Sequence, residues 1–348
     1  MVSPTVAGAR MRAEIAAQPS VLADVVHRRA EIAEVGAKVS ASRPRFALLA
    51  ARGSSDHAAL YAKYLIEVLL QLPAGLVSPS TTTLYGAEPD LTDVLFLTVS
   101  QSGGSPDLVE ATGVARKRGA LTVALTNTPD SPLVAAAELA IDLGAGAELA
   151  VAATKTYTAS LVALYLLVDA VRGGNGASVA GIGELAERTL AGAAGGIREI
   201  VERYRSVERI VTTGRGYSSA TAAEAALKLA ETSYLAARAY SGADLLHGPV
   251  AAIDAETGVL AVTSAGPGGE AMRDVVAAVR ARGADVVAIG SAAASVGASA
   301  HVEVPSTAEE IAPILEVLPL QQLALDLALA RGGDPDQPRG LSKVTKTR

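Results

Sequence analysis

Residues 94–127, VLFLTVSQSGGSPDLVEATGVARKRGALTVALTN, and residues 259–291, VLAVTSAGPGGEAMRDVVAAVRARGADVVAIGS, have the same organisation, and that organisation decides the fold. Each opens on a short apolar run, breaks at a Gly-containing loop, continues with apolar residues at helical spacing and returns, after a Gly, to a second apolar run. Gly119 and Gly283, which close the two helical stretches, lie 164 residues apart. The pattern extends upstream. The run Arg45–Ala50 stops at Arg52-Gly53-Ser54-Ser55, and Ala58, Ala62, Leu65, Ile66 and Leu69 follow at helical spacing. The run Arg209–Thr213 stops at Gly214-Arg215-Gly216-Tyr217-Ser218-Ser219, and Ala222, Ala225, Ala226 and Leu229 follow. Gly53 and Gly216 are 163 residues apart. Matched spacing over several elements marks a duplication, and alternating strands and helices predict a parallel sheet covered on both faces. The expected fold is α/β, with two tandem doubly wound, flavodoxin-like parallel sheets.

Around these halves the spacing predicts an amphipathic N-terminal helix over about Ala13–Val39, a helix over Thr156–Val171 and another over about Ile182–Arg205. Gly173-Gly174-Asn175-Gly176 reads as a linker, and the tail beyond Gly332 carries too much Pro, Gly and charge for a helix. The expected segments are 1–40 (helical), 41–175 (first half), 176–332 (second half) and 333–348 (tail).

The chain has 348 residues, 50% of them hydrophobic and 19% charged, which suits a globular protein of about two domains. A net charge of −6 and only 11 aromatic residues give nucleic acid neither a basic surface nor stacking platforms. The apolar run Ala159–Ala170, interrupted by Asp169, is shorter than the ~20 residues of a bilayer span, so no membrane helix is expected. The N-terminus shows no signal-peptide pattern, which makes the cytoplasm the expected compartment. There is no Cys, and His27, His57, His247 and His301 show no metal-ligand spacing, so no metal is expected.

Ligands of a doubly wound sheet bind beyond the carboxyl ends of its strands. The loop Ser100-Gln101-Ser102-Gly103-Gly104-Ser105 sits there, ahead of a helix opening with Pro106-Asp107. Hydroxyls, glycine backbone and a helix N-terminus together suit a phosphate, although Ser and Gly also serve simply as turns and caps. Ser54 and Ser55 end the preceding strand in a similar way. The second copy, Ser264-Ala265-Gly266-Pro267-Gly268-Gly269, has lost most hydroxyls, leaving one competent phosphate loop per chain. Neither loop has the Walker lysine or a GxGxxG pattern. Glu224, Lys228 and Glu231 share one face of a helix, either as a functional group or as a solvated ion pair. His247 lies among apolar residues in LLHGPVAAID, where a structural role is equally open. His57 reads as a packing or solvent residue, Lys155 as either near a site or merely solvated, and Arg52 and Glu148 as weaker candidates.

The runs SQSGGSPDLVEA, AATKTYTASL, GRGYSSATAAEAALKLAETSYLAARAYSGADLLHGPVAAID and DQPRGLSKVTKTR resemble the sugar isomerase (SIS) domain family. They are similar to the isomerase half of glucosamine-6-phosphate synthase and to stand-alone deaminase-type members. The resemblance spans nearly the whole chain from about residue 20. It implies that Ser55, Ser100, Gln101, Ser102 and Ser105 hold the 6-phosphate of an amino sugar. It implies Glu231 as the base that moves the C2 proton, with Lys228 and Glu224 beside it. His247, supplied by the neighbouring subunit of a homodimer, would assist ring opening, and Lys343 would reach the C1/C2 region. No cofactor is required. The Cys-bearing glutaminase segment of the synthase is missing, so glutamine-independent deamination of glucosamine 6-phosphate to fructose 6-phosphate and ammonia is the expected reaction.

Departures from the family pattern leave two other outcomes open. The chain has Lys228-Leu229-Ala230-Glu231 where relatives often have KLKE, Ala152-Ala153-Thr154-Lys155 where they have ASTK, and SGGS where the synthase has SGET. With an acetylated nitrogen the imine could not be hydrolysed, and C2 proton removal with loss of the C3 hydroxyl would make the protein an N-acetylglucosamine-6-phosphate dehydratase. A phosphosugar sensor without turnover is the non-enzymatic alternative.

Overall fold

A computed structural model describes residues 6–343. It contains two five-stranded sheets in which every ladder is parallel. The first comprises β1 (Phe46–Ala50), β2 (Ala74–Leu76), β3 (Val94–Val99), β4 (Leu121–Thr126) and β5 (Leu139–Asp142), in the order β2-β1-β3-β4-β5. The second comprises β6 (Arg209–Gly214), β7 (Arg238–Ser241), β8 (Thr257–Val262), β9 (Asp285–Gly290) and β10 (Ala300–Glu303), in the order β10-β9-β8-β6-β7. Read from the other edge, the second order is the first repeated. The register repeats as well: Phe46 pairs with Val94, and Arg209 pairs with Thr257, each 163 residues later. The expected tandem doubly wound α/β fold is thus observed.

The central strands are apolar along nearly their whole length because helices cover both faces. All six residues of β8 are buried, as are the last five of β3, β4 and β9, whereas the edge strands β5 and β10 alternate with exposed residues. In the first half, helix Pro106–Lys117 lays Leu108, Ala111 and Ala115 on Phe96 and Ala50. In the second, helix Pro267–Arg280 lays Met272, Val275, Val276 and Val279 on Val259, Ala261, Val286 and Ala288. Helix Ser54–Leu69 packs with helix Lys155–Val171 in the first half, and helix Ser218–Ser233 packs with helix Ala312–Ala330 in the second. By contact, the described residues form two compact units, one of residues 20–148, 155–182 and 342–343, the other of residues 6–19, 149–154 and 183–341.

The single N-terminal helix expected over Ala13–Val39 is in fact two, Ala9–His27 and Arg29–Ser42. Arg28 interrupts them at φ −89°, ψ 13°. Its guanidinium reaches the carbonyl of Leu143 and lies 3.9 Å from Asp142, a tertiary attachment that periodicity does not reveal. The start of helix Ala9–His27 is held by the tail. The Asp334 carboxylate accepts from Gly8 N–H at 3.0 Å, and Asp336 accepts from Arg10 and Met11 N–H at 2.8 and 2.9 Å, so orphan first-turn donors are satisfied from the far end of the chain.

Helix Ala312–Ala330 is long and apolar enough by composition to cross a membrane, yet 83% of that window is buried inside the protein, as in a core helix. From Gly332 to Lys343 the tail forms neither helix nor strand, and residues 344–348 of the tail motif lie outside the described residues.

Gly36 marks the closest approach of helix Arg29–Ser42 to helix Lys155–Val171, since a Cβ built on it would stand 2.6 Å from the Cβ of Ala170. Exchanging Gly for Ala in a helix ordinarily stabilises by about 1 kcal/mol. Overpacking outweighs that gain here, so Gly36→Ala is expected to cost about 1–2 kcal/mol net. Urea unfolding checks it: the midpoint should fall, and a raised midpoint contradicts the packing account.

Candidate functional site

The loop Ser100–Ser105 leaves the carboxyl end of β3 and runs into helix Pro106–Lys117. Its fold follows from its composition. Gly103 N–H donates to Ser100 Oγ at 3.2 Å, and Gly104 N–H donates to Ser102 Oγ at 3.3 Å, so the hydroxyls shape the turn. Gly103 adopts φ 59°, and a Cβ there would meet Ser131 Oγ at 2.1 Å, which leaves Gly as the residue that fits. The Gln101 carbonyl accepts from Asn127 N–H at 3.1 Å and Thr126 Oγ1 at 3.2 Å, pinning the loop to the end of β4. Ser105 holds the N-cap position without a side-chain cap hydrogen bond, and Pro106 follows at the first helical position.

Arg52, at the end of β1, donates from Nη2 and Nε to Asp107 Oδ2 at 2.9 and 3.0 Å. Asp107 is buried, so this pair binds the two loops of the first half to each other and places Ser55 on the same sheet edge as Ser100–Ser105. Arg52 was a weak candidate on sequence; it positions the loops. Burial holds the Asp56 carboxyl above its ordinary pKa, against the opposing charges of His57 and Arg52. The arrangement has hydroxyls, a glycine-bearing turn and two helix N-termini at one sheet edge, the chemistry of an anion cradle.

In the second half, helix Ser218–Ser233 carries Glu224, Lys228 and Glu231. The Lys228 ammonium is 3.4 Å from Glu224 Oε1 and 2.5 Å from Glu231 Oε2. The Lys228 and Glu224 side chains are 1% and 0% exposed, while Glu231 is 23% exposed. The reading as a solvated surface pair therefore fails. An ammonium withdrawn from water needs anionic partners, and this one has two, the outer of which faces partly outward.

The structure brings Lys343 to Glu148, Nζ lying 3.5 Å from Oε2. Glu148 also accepts from Thr156 N–H at 3.1 Å and from the Thr156 hydroxyl, capping the first turn of helix Lys155–Val171. Sequence reasoning ranked Glu148 low, though a carboxylate just ahead of a helix start was a usable signal. Lys155 is buried, 8% exposed, and is not a solvating residue. His247 is exposed at the C-cap of the short helix Gly242–Leu246 and, among the described residues, forms no ion pair with Glu231. His57 is half-buried on helix Ser54–Leu69, and His301 lies on β10.

Glu316 was missed entirely. It is wholly buried in helix Ala312–Ala330 and accepts from Ser218 Oγ at 3.1 and 2.9 Å. Desolvation pushes its carboxyl up to about 8, against hydrogen bonds from Ser218 and Thr221 that favour the charged form. A lone carboxylate in the apolar stretch PILEVLPL was the available clue.

Comparison with known proteins adds three findings. The profile of the SIS domain matches residues 42–170 and 203–331. Glutamine–fructose-6-phosphate aminotransferase (isomerizing) of Gloeobacter violaceus is 36% identical over 361 residues, covering 96% of this chain and 58% of that protein, so the chain spans little more than half the length of this curated relative. Among solved structures, a candidate phosphosugar isomerase from Silicibacter pomeroyi DSS-3 superposes with TM-score 0.87 at 35% identity, covering 95% of this chain and 100% of that one. The C-terminal domain of glucosamine-fructose-6-phosphate aminotransferase from Francisella tularensis gives TM-score 0.84 at 26% identity, covering 97% and 100%.

Two outcomes follow from these charges. Lys228→Met leaves Glu224 buried without its counter-ion and should destabilise the fold by about 3–5 kcal/mol in denaturant titration; an unchanged midpoint contradicts the pairing. For Glu316 the folded-state pKa lies above the unfolded value of 4.5, so the native state holds a proton that the unfolded chain releases. Its contribution to stability is fully present below about 4.5 and is lost as pH rises toward about 8. Melting curves across that range should show Glu316→Gln less pH-sensitive than the parent, and more stable at the alkaline end.

Proposed function

We propose, for a chain that belongs to the SIS-domain family, that it acts on an open-chain hexosamine 6-phosphate by C2 proton abstraction, as a glucosamine-6-phosphate deaminase/isomerase. The observation that carries this reading is the buried Glu224–Lys228–Glu231 group, in which a carboxylate with one partly exposed face is held by an ammonium. A carboxylate so held keeps a fixed orientation, which proton transfer from carbon requires.

The roles divide as follows. Ser55, Ser100, Gln101, Ser102 and Ser105 take the 6-phosphate, supported by the hydroxyl-rich loop and helix N-termini at the sheet edge. His247 assists ring opening, because the cyclic hemiacetal offers no carbonyl to delocalise a carbanion. Its exposure on the single chain suits a residue offered to a second copy in a homodimer. Glu231 then removes the C2 proton, giving an enolamine with double bond C1=C2. Returning that proton to C1 leaves a C2 imine, and water converts the imine to the ketone of fructose 6-phosphate with release of ammonia. Lys228 and Lys343 supply positive charge against the oxyanion that develops at C1.

Purified protein incubated with glucosamine 6-phosphate should release ammonia and fructose 6-phosphate in equal amounts, and Glu231→Gln should lower kcat at least ~100-fold while substrate binding persists. An unsaturated, ultraviolet-absorbing product from N-acetylglucosamine 6-phosphate would replace this reading with dehydration. Binding of either sugar without turnover by the parent protein would replace it with a sensor.

A further inference from the structure

The duplication gives the second half a loop at the same place as the phosphate loop of the first. Thr263 follows β8 as Ser100 follows β3, and Pro267 opens its helix as Pro106 does. The second loop is shorter, with Pro267 five residues after the end of β8 at Val262 where Pro106 is seven after the end of β3 at Val99. The counterparts of the hydroxyls at Ser102 and Ser105 are gone.

A carboxylate fills the space. Glu309, from the segment between β10 and helix Ala312–Ala330, accepts from Gly268 N–H with Oε1 at 2.8 Å. A Cβ built on Gly268 would stand 2.4 Å from Oε1, and one on Gly266 would stand 2.6 Å from Oε2, so both glycines leave room for this side chain. A Cβ built on Gly216, in the loop after β6, would stand 3.9 Å from the same Oε1. The carboxylate thus lies between the loops that follow β6 and β8, the position equivalent to the gap between the Gly53 loop and Ser100–Ser105. In the first half, among the described residues, no carboxylate from elsewhere enters between these loops; the Arg52–Asp107 pair joins them, and space remains beside two of their glycines. A Cβ on Gly53 would meet nothing within 4 Å, and one on Gly104 would meet only Ser102, at 3.8 Å. Burial holds the Glu309 carboxyl above its ordinary pKa, the Gly268 amide opposes the shift, and the charges of Glu310 and Glu270 add to it.

We infer that the second loop is an anion site whose ligand is the chain's own Glu309 carboxylate, standing where a phosphate would otherwise sit. The second half is a closed phosphate cradle. A free phosphate or phosphate monoester enters it only when Glu309 is removed. This rests on the proposed function in one respect, the reading of the first loop as a phosphate cradle.

Calorimetric titration with inorganic phosphate, in a buffer free of other oxyanions, tests the inference. The parent protein should bind one phosphate per chain, Glu309→Ala should bind two, and Glu309→Ala combined with Ser102→Ala should keep the new one while weakening the first. Glu309→Ser opens the same gap and replaces the Ala variant if that does not show a cooperative melt. Unchanged stoichiometry in a folded Glu309 variant overturns the inference. So does phosphate-induced protection of the amides of residues 264–270 from hydrogen exchange in the parent. Should the parent bind no phosphate while a Glu309 variant binds one, the first-loop reading fails and the plugged second loop stands.

Discussion

A parallel sheet sends the carboxyl ends of all its strands to one edge, and the loops leaving that edge face the N-termini of the helices they enter. Both halves are built on this constraint. Their central strands are buried on two faces, which obliges the sequence to be apolar along whole strands and confines polar chemistry to the loops and to the helices packed over them. The hydroxyls of Ser100 and Ser102, the glycine at 103 and the Arg52–Asp107 pair all occur where the constraint permits them.

Charge inside such a fold persists only in company. Lys228 is kept as an ammonium by two carboxylates, and Glu148 is shared between a helix start and Lys343. Glu316 shows the other resolution, since with hydroxyl partners alone it retains a proton up to about pH 8. The same residue type is therefore a charged partner at 224 and a largely neutral hydrogen-bonding group at 316, and the neighbours make the difference.

Duplication explains how one chain has two architectures that match in strand order and register yet differ in chemistry. The first half kept a long, hydroxylated loop, joined to the loop after β1 by Arg52 and Asp107. The second kept the strand, the helix start and the glycines, shortened the loop and set Glu309 against the Gly268 amide. A backbone donor at a helix start is satisfied either by a ligand or by the protein itself, and in the second half the protein supplies the acceptor in Glu309.

The two parallel sheets, the duplication, the serine loop and the helical face shared by Glu224, Lys228 and Glu231 were legible in the order of residues, because strand runs, helical period and loop composition are local properties readable from spacing. Spacing misjudged the N-terminal helix, since the break at Arg28 depends on the distant Leu143 carbonyl, and it passed over Glu309 and Glu316, whose roles rest on partners some 40 and 98 residues away in the chain. Which charges are buried, which carboxylate keeps its proton and which of two similar loops is filled emerge from the folded packing. Burial and ion pairing are set by what folds against a residue, and spacing along the chain does not encode that distance.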